Sequence, residues 1–208
     1  MLSELEFGAL LVYSPRGNED ASRRSKDITL GIKADRAGLL AELADLLAER
    51  IVGSELEGIL GPEVVLVPVP KSAPLYPGAL WPARRIADEL VQRQLGREVL
   101  ACLERVRAVR ESALQPRGGR PSPLDHASSM TATRQLVIPE QITLVDDVVT
   151  KGATLLAGAS LVRQAFPEAI VRGFALVRTM GLTPEIGEIL APCRGVIREA
   201  YGEAVREP

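Results

Sequence analysis

Aromatic residues are scarce in this chain of 208 residues, where Phe, Trp and Tyr together make up 3%. A core built from it must rest on Leu, Val, Ile and Ala, and no stacking platform for a base is visible. Cysteine is nearly absent, with Cys102 and Cys193 alone, and His126 is the single histidine. A zinc site of the usual Cys/His spacing cannot be assembled from these, and two isolated cysteines suit a reducing compartment. No apolar run approaches the ~20 residues that span a bilayer. The opening MLSELEFGALLVY carries Glu4 and Glu6 where a secretory signal carries positive charge. A cytoplasmic protein without membrane association is the expectation. An excess of either charge is lacking too: 25 Lys and Arg against 27 Asp and Glu leave a formal net charge of −2. A nucleic-acid backbone is therefore not expected as the main ligand. Within the basic set lysine is rare, at Lys26, Lys33, Lys71 and Lys151.

What is present is ordinary for a globular protein: 46% hydrophobic and 25% charged residues. The length suits one domain that needs no disulfide or structural metal. Residues 7–14 (FGALLVYS) read as a strand, followed by a polar turn over 16–25. Asp35 is placed to cap a helix through AGLLAELADLLAERI, whose leucines recur at helical spacing. VVLVPV (64–69) is a continuous apolar run, the pattern of a strand buried on both faces of a parallel sheet. A helix over 82–94 and a strand over 98–103 follow. Residues 107–134 differ: three prolines, Gly118-Gly119 and Arg107, Arg110, Arg117, Arg120 and Arg134 stand against only Glu111 and Asp125. So long a structureless stretch inside a domain is usually a functional lid or a disordered segment. Strand 142–149, helix 153–166 and strand 169–177 resume the alternation, and 199–206 reads as a short helix. Strands alternating with helices imply an α/β protein with a mostly parallel central sheet flanked by helices.

The informative stretch is ITLVDDVVTKGAT, residues 142–154. An apolar strand ends in paired acids, Asp146 and Asp147, and the small-residue loop from Thr150 to Thr154 opens a helix. Ligands of parallel sheets bind at the carboxyl ends of strands. A helix N-terminus offers unpaired N–H groups and the positive end of its dipole to a phosphate. Gly152 lets the backbone approach, and the hydroxyls of Thr150 and Thr154 can donate. The two acids would repel a bare phosphate, so the ligand must offer them hydroxyl donors as well. A ribose 5-phosphate unit meets both demands, with its diol toward the acids and its phosphate in the loop. Paired acids also attract Mg²⁺, directly or through water. Receiver domains place paired acids at a strand end too, but without the phosphate loop that follows here. Neither a P-loop nor a G-x-G-x-x-G fingerprint occurs.

This segment resembles the phosphoribosyl pyrophosphate (PRPP) signature of type I phosphoribosyltransferases: an apolar strand, two acids, two apolar residues, then Thr-x-Gly-x-Thr. The resemblance is closest to the ComF-like, competence-associated branch, on Tyr13, ITLGIKADR, LLAELADLLAERI, VLVPVPKS and LERVRAVR. It departs from that branch where the chain reads YPGALWPARR, and in having no four-cysteine zinc module. The resemblance implies a single type I phosphoribosyltransferase-like domain over 1–208, with a core over about 36–177. Hood elements would come from 1–35 and about 178–208, and a mobile lid loop from about 107–134. Asp146 and Asp147 would hold the ribose hydroxyls and Mg²⁺, and Val149, Thr150, Lys151, Gly152, Ala153 and Thr154 the 5′ phosphate. Lys71, Ser72 and Arg105 would meet pyrophosphate, and an unusual peptide near Ser72 would mark that loop as a ligand clamp. Lys71, Arg107 and His126 are the catalytic candidates, His126 as a proton donor. The implied activity is transfer of a phosphoribosyl group from Mg²⁺–PRPP to an acceptor, with pyrophosphate release. The alternatives are a non-catalytic PRPP- or nucleotide-sensing protein and a ComF-like accessory in DNA uptake or recombination. A homodimer is compatible with either.

Overall fold

The computed structural model describes residues 1–109, 121–134, 139–181 and 185–208. Among these the elements run β1 (Glu4–Tyr13), α1 (Asp20–Lys33), α2 (Leu39–Arg50), β2 (Val65–Pro68), α3 (Pro82–Gln92), β3 (Glu98–Val99) and β4 (Leu103–Arg105). They continue as α4 (Pro123–Ala127), β5 (Met130–Ala132), β6 (Gln141–Val149), α5 (Ala153–Ala165), β7 (Ile170–Thr179), β8 (Leu190–Ala200) and β9 (Glu203–Glu207). Seven strands form one sheet in the order β3-β2-β6-β7-β1-β8-β9, while β4 and β5 pair separately. From β3 to β1 the neighbours are parallel, and β8 and β9 extend the sheet antiparallel. The fold is therefore α/β, a mostly parallel central sheet flanked by helices, as the alternation of patterns implies.

Both faces of the sheet are covered, which is why its inner strands are nearly all apolar. On one face Ile32 of α1, Leu40, Leu43 and Leu47 of α2 and Ile86 and Leu90 of α3 pack with Leu10, Leu66, Phe174 and Leu176 of the strands. On the other, Leu155, Leu156, Ala159 and Val162 of α5 meet Leu5, Phe7, Val67, Leu144 and Ile197. No described helix is long and apolar enough to cross a membrane.

Several expectations need correction. The polar stretch 16–25 runs into α1, whose buried face carries Ser22, Ser25 and Thr29. Those hydroxyls bond within the helix (Ser25 Oγ to Ser22 O, 2.7 Å; Thr29 Oγ1 to Ser25 O, 2.7 Å), so a helix exists without an apolar period. Asp35 caps nothing: it sits at φ 52° beyond α1, and Gly38 is the N-cap of α2. The strand read over 98–103 divides, because Glu98–Val99 joins β2 and Leu103–Arg105 joins β5. The helix read over 199–206 is a hairpin. Tyr201 (φ 53°) and Gly202 (φ 79°) form a two-residue turn whose positive φ angles match strand twist. Within the stretches expected to form a hood, β1, β8 and β9 are strands of the central sheet, with β1 between β7 and β8. The near-total burial of β1 explains its place. The stretch 107–134 is not structureless throughout. Ser122 and Asp125 form a capping box for α4 with Pro123 at its first turn, and β5 anchors the far end.

The sheet's centre sets its stability. Phe174→Ala, at a fully buried position in β7, is expected to cost about 3–5 kcal/mol in urea unfolding.

Candidate functional site

The chain leaves β2 outward to β3 and leaves β6 the other way to β7, so the strand order reverses between β2 and β6. Such a switch point opens a crevice at the carboxyl ends of the strands. Pro68 lies opposite Val145, Val149 opposite Arg178 and Thr179 opposite Tyr13, so the ends of β2, β6, β7 and β1 share one edge. The Lys71–Ser72 loop follows β2, and the Thr150–Gly152 loop follows β6.

The acid pair closes β6. Asp146 Oδ1 accepts from Asp147 N–H at 2.9 Å and Asp147 Oδ1 from Val148 N–H at 2.8 Å. The Asp146 residue keeps some surface, but its carboxyl group sits deep, and burial together with the neighbouring Asp147 carboxylate raises its pKa well above the usual range. A group that must shed water and also face a like charge awaits a donor or a cation.

Beyond the acids, the backbone is shaped for an anion. Gly152 is the N-cap of α5 at φ 89°, a conformation that L side chains rarely adopt, and no side chain caps the helix. An added Cβ there would stand 2.5 Å from Ile197, so glycine is required twice over. The first N–H groups of α5 have no intrahelical acceptor, and Thr154 in the first turn is half-buried. Thr150 Oγ1 lies 3.4 Å from Thr179 Oγ1. The Lys151 ammonium pairs with Glu203 of β9.

Two side chains, one at the end of β4 and one in α4, complete the arrangement. Arg105 is 2% exposed. Its Nε donates to Lys71 O at 2.8 Å, and its Nη1 to Ser129 Oγ at 2.6 Å and His126 O at 3.4 Å. Its Nη2 is buried without a partner. Burial lowers its pKa to about 10, an effect offset in part by Asp146, so it stays cationic at neutral pH. His126 is 3% exposed; its Nε2 lies 3.5 Å from Thr154 Oγ1, and its Nδ1 is buried without a partner. Burial, reinforced by Arg105, lowers its pKa to about 4. Both effects favour the neutral imidazole at neutral pH.

The structure thus brings Asp146, Asp147, the Thr150–Thr154 loop, Arg105, His126 and the Lys71 carbonyl together. It does not bring in every arginine of the lid segment. Arg107 is exposed and reaches Ser128 Oγ at 3.3 Å. Arg134 donates to Ala165 O at 3.0 Å, at the far end of α5. Arg110, Arg117 and Arg120 lie outside the described residues. The Lys71 side chain is exposed, Ser72 O accepts from Val109 N–H at 2.8 Å, and no described peptide bond is cis. Trp81 Nε1 is tied to Val69 O at 2.7 Å. Sequence reading missed Ser129, Thr179 and Arg206, which carry no motif; only the fold places them here. Among the described residues no three His, Cys, Asp or Glu cluster as a metal site.

Neither a family model nor a curated protein matches this chain. Among solved structures it is similar to adenine phosphoribosyltransferase from Thermoanaerobacter pseudethanolicus (15% identity, TM-score 0.41, 70% of this chain and 83% of that one). It is similar also to hypoxanthine phosphoribosyltransferase from Staphylococcus aureus (12%, TM-score 0.36, 79% and 70%). A third is adenine phosphoribosyltransferase from Trypanosoma brucei in complex with AMP, pyrophosphate and ribose-5-phosphate (12%, TM-score 0.39, 82% and 75%). Likenesses this remote do not assign the chain to a family.

Two titrations follow from the geometry. His126 has a folded pKa of about 4 against 6.5, so the unfolded chain binds its proton first. Stability from this group is present above pH 6.5 and is lost as pH falls toward 4. Wild type is expected to lose about 3 kcal/mol more than His126→Gln between pH 7 and pH 4, measured by urea unfolding at each pH. Asp146 shifts the opposite way, so its ionised form destabilises the fold above the usual Asp range. Asp146→Asn keeps an oxygen for Asp147 N–H, and at neutral pH the apo variant should unfold at a higher temperature and urea concentration than wild type. The gain should vanish below the usual Asp pKa of 3.8.

Proposed function

We propose that this chain is a phosphoribosyltransferase-like protein. It binds PRPP with Mg²⁺, or another ribose 5-phosphate compound, at the β2/β6 switch point and transfers the phosphoribosyl group to an acceptor with release of pyrophosphate. One observation carries this reading. A buried cation with an unpartnered Nη2, a half-buried pair of adjacent acids that raises the Asp146 pKa and a glycine-opened helix N-terminus converge on one crevice. Each lacks what a phosphorylated sugar supplies: anionic oxygens for Arg105 and the helix, hydroxyl donors for the acids.

In this reading the N–H groups from Lys151 to Thr154 and the threonine hydroxyls hold the 5′ phosphate, while Asp146 and Asp147 accept from the 2′ and 3′ hydroxyls. Two adjacent carboxylates are also a donor set for a hard cation. Mg²⁺ held by Asp146 and Asp147, directly or through water, would take its remaining ligands from water and phosphate oxygens and neutralise charge there. The bond from ribose C1 to pyrophosphate breaks with its electron pair on the leaving group. A bond forms from C1 to the acceptor atom, which gives up a proton. Arg105, whose Nε is bonded to the Lys71 carbonyl, and the Lys71 ammonium oppose the negative charge that grows on pyrophosphate, the kind of contribution that usually dominates catalysis. The expected lid over 107–134, of which 110–120 lie outside the described residues, would exclude water from an electron-poor C1. Neutral His126 lines the wall beside Thr154 and adds no second positive charge next to Arg105. A ligand-sensing protein would keep this cradle and release no pyrophosphate.

Mg²⁺ with PRPP at millimolar concentration should raise the melting temperature by several degrees, as expected for a ligand near 100 times its Kd. The Asp146→Asn/Asp147→Asn double variant should show no shift. A wild type that does not respond sinks the ribose-phosphate reading. Pyrophosphate release across a panel of nitrogen bases separates an enzyme from a sensor, the latter staying silent with every acceptor.

A further inference from the structure

β9 closes the sheet at the end opposite β3, and its side chains reach the loop that follows β6. Arg206 Nε donates to Thr150 O at 2.8 Å and its Nη2 to Thr179 O at 2.7 Å. Its Nη1 donates to Pro208 O at 2.9 Å. The Nε and Nη2 bonds end on the main-chain carbonyls of Thr150 and Thr179. The guanidinium is half-buried and stands 5.8 Å from the centroid of the Phe7 ring, which holds it from one side. Glu203 of the same strand pairs with Lys151. Ile197, opposite Arg206 in the β8–β9 ladder, packs against Gly152.

The consequence lies in the peptide linking Thr150 to Lys151. A trans peptide is planar and its C=O and N–H point in opposite directions. Fixing the Thr150 carbonyl on the Arg206 side therefore turns the Lys151 N–H to the other side. There it joins the N–H groups of the first turn of α5. The fork of an arginine suits this task, because one planar group spans the ends of two neighbouring strands. Lysine offers a single point of contact.

We propose that the β8–β9 hairpin is a latch that sets the phosphate loop, with Arg206 as its positioning residue. The proposal rests on the reading of residues 150–154 as a phosphate cradle, so its test has one arm without ligand. In the free protein, ¹⁵N relaxation should give order parameters near 0.85 at Lys151 and Gly152 in wild type, falling below about 0.6 in Arg206→Met. The order parameters of β6, β7 and β8 should stay unchanged. Arg206→Lys, which keeps one donor and serves where the Met variant does not fold, should give intermediate values at the same two residues. Order parameters that stay high in the loop, or fall equally through the sheet, overturn the latch. In the second arm, calorimetry with ribose 5-phosphate should show about a tenfold weaker Kd for Arg206→Met, as for one lost charge-assisted hydrogen bond. Equal affinity in the variant also overturns the latch. A wild type that binds no ribose 5-phosphate overturns the phosphate reading, and relaxation alone then decides the latch.

Discussion

A guanidinium buried without a bonded carboxylate is the constraint around which one end of this sheet is arranged. Taking an ion out of water costs several kcal/mol unless neighbours replace its hydration. Arg105 recovers part of that from the Lys71 carbonyl, the Ser129 hydroxyl and the field of Asp146. Those three partners come from the loop after β2, the segment before β5 and the end of β6. One side chain thus fixes how three stretches distant in sequence meet. The Ser129 hydroxyl passes the constraint on by donating to His126 O at 2.8 Å, which helps hold the imidazole against Thr154. The remaining Nη2 has no partner, and a buried polar atom left this way in a native fold is usually a place for a ligand or water.

The acid pair sets a matching condition of opposite sign. Asp146 carries its raised pKa because two carboxylates are held side by side where water is scarce. Neither feature stabilises the apo fold. A structure that keeps a conflicted acid pair and an incompletely satisfied cation within one crevice is giving up stability locally, the pattern expected where a site is preorganised for something else. The rest of the molecule supplies the compensation through two apolar layers on either side of the sheet.

How much of this was legible in the chain depends on how local each feature is. The strand, acids, glycine and helix start of 142–154 are contiguous, so their spacing alone reveals the arrangement, and β6 and α5 fall within a residue of the expected bounds. The buried run of β2 is legible for the same reason. His126 looks from sequence like a solvated member of a polar lid, and Arg105 like a pyrophosphate contact beside a strand. Their burial arises from the pairing of β4 with β5 and from the docking of α4, which no local pattern announces. The α1 helix is hidden because its inner face is made of hydroxyls, and β9 because the Tyr201-Gly202 turn is not one of the usual Asn-Gly or Asp-Gly signals. The sheet position of β1 is a matter of topology. Its burial on both faces is the only hint.

The shortage of aromatic rings is consistent with the kind of ligand that the site suits. Phe7, Phe166 and Phe174 are consumed by the two cores. Trp81 is bonded to the β2 end and Tyr13 packs under the sheet, while Tyr201 tips the hairpin. That leaves Tyr76, 74% exposed in the stretch after β2, as the ring free to cover a ligand. A flat base needs such surfaces, whereas a sugar phosphate has no π-face and is recognised through hydroxyls and anionic oxygens. Main-chain N–H groups, two carboxylates and one buried guanidinium provide that recognition in full. On the proposed reading, the donor half of the transfer is the half built from rigid elements. An acceptor would then draw on edges and polar groups near the ends of β1 and β7, where specificity would arise from hydrogen bonding more than from stacking.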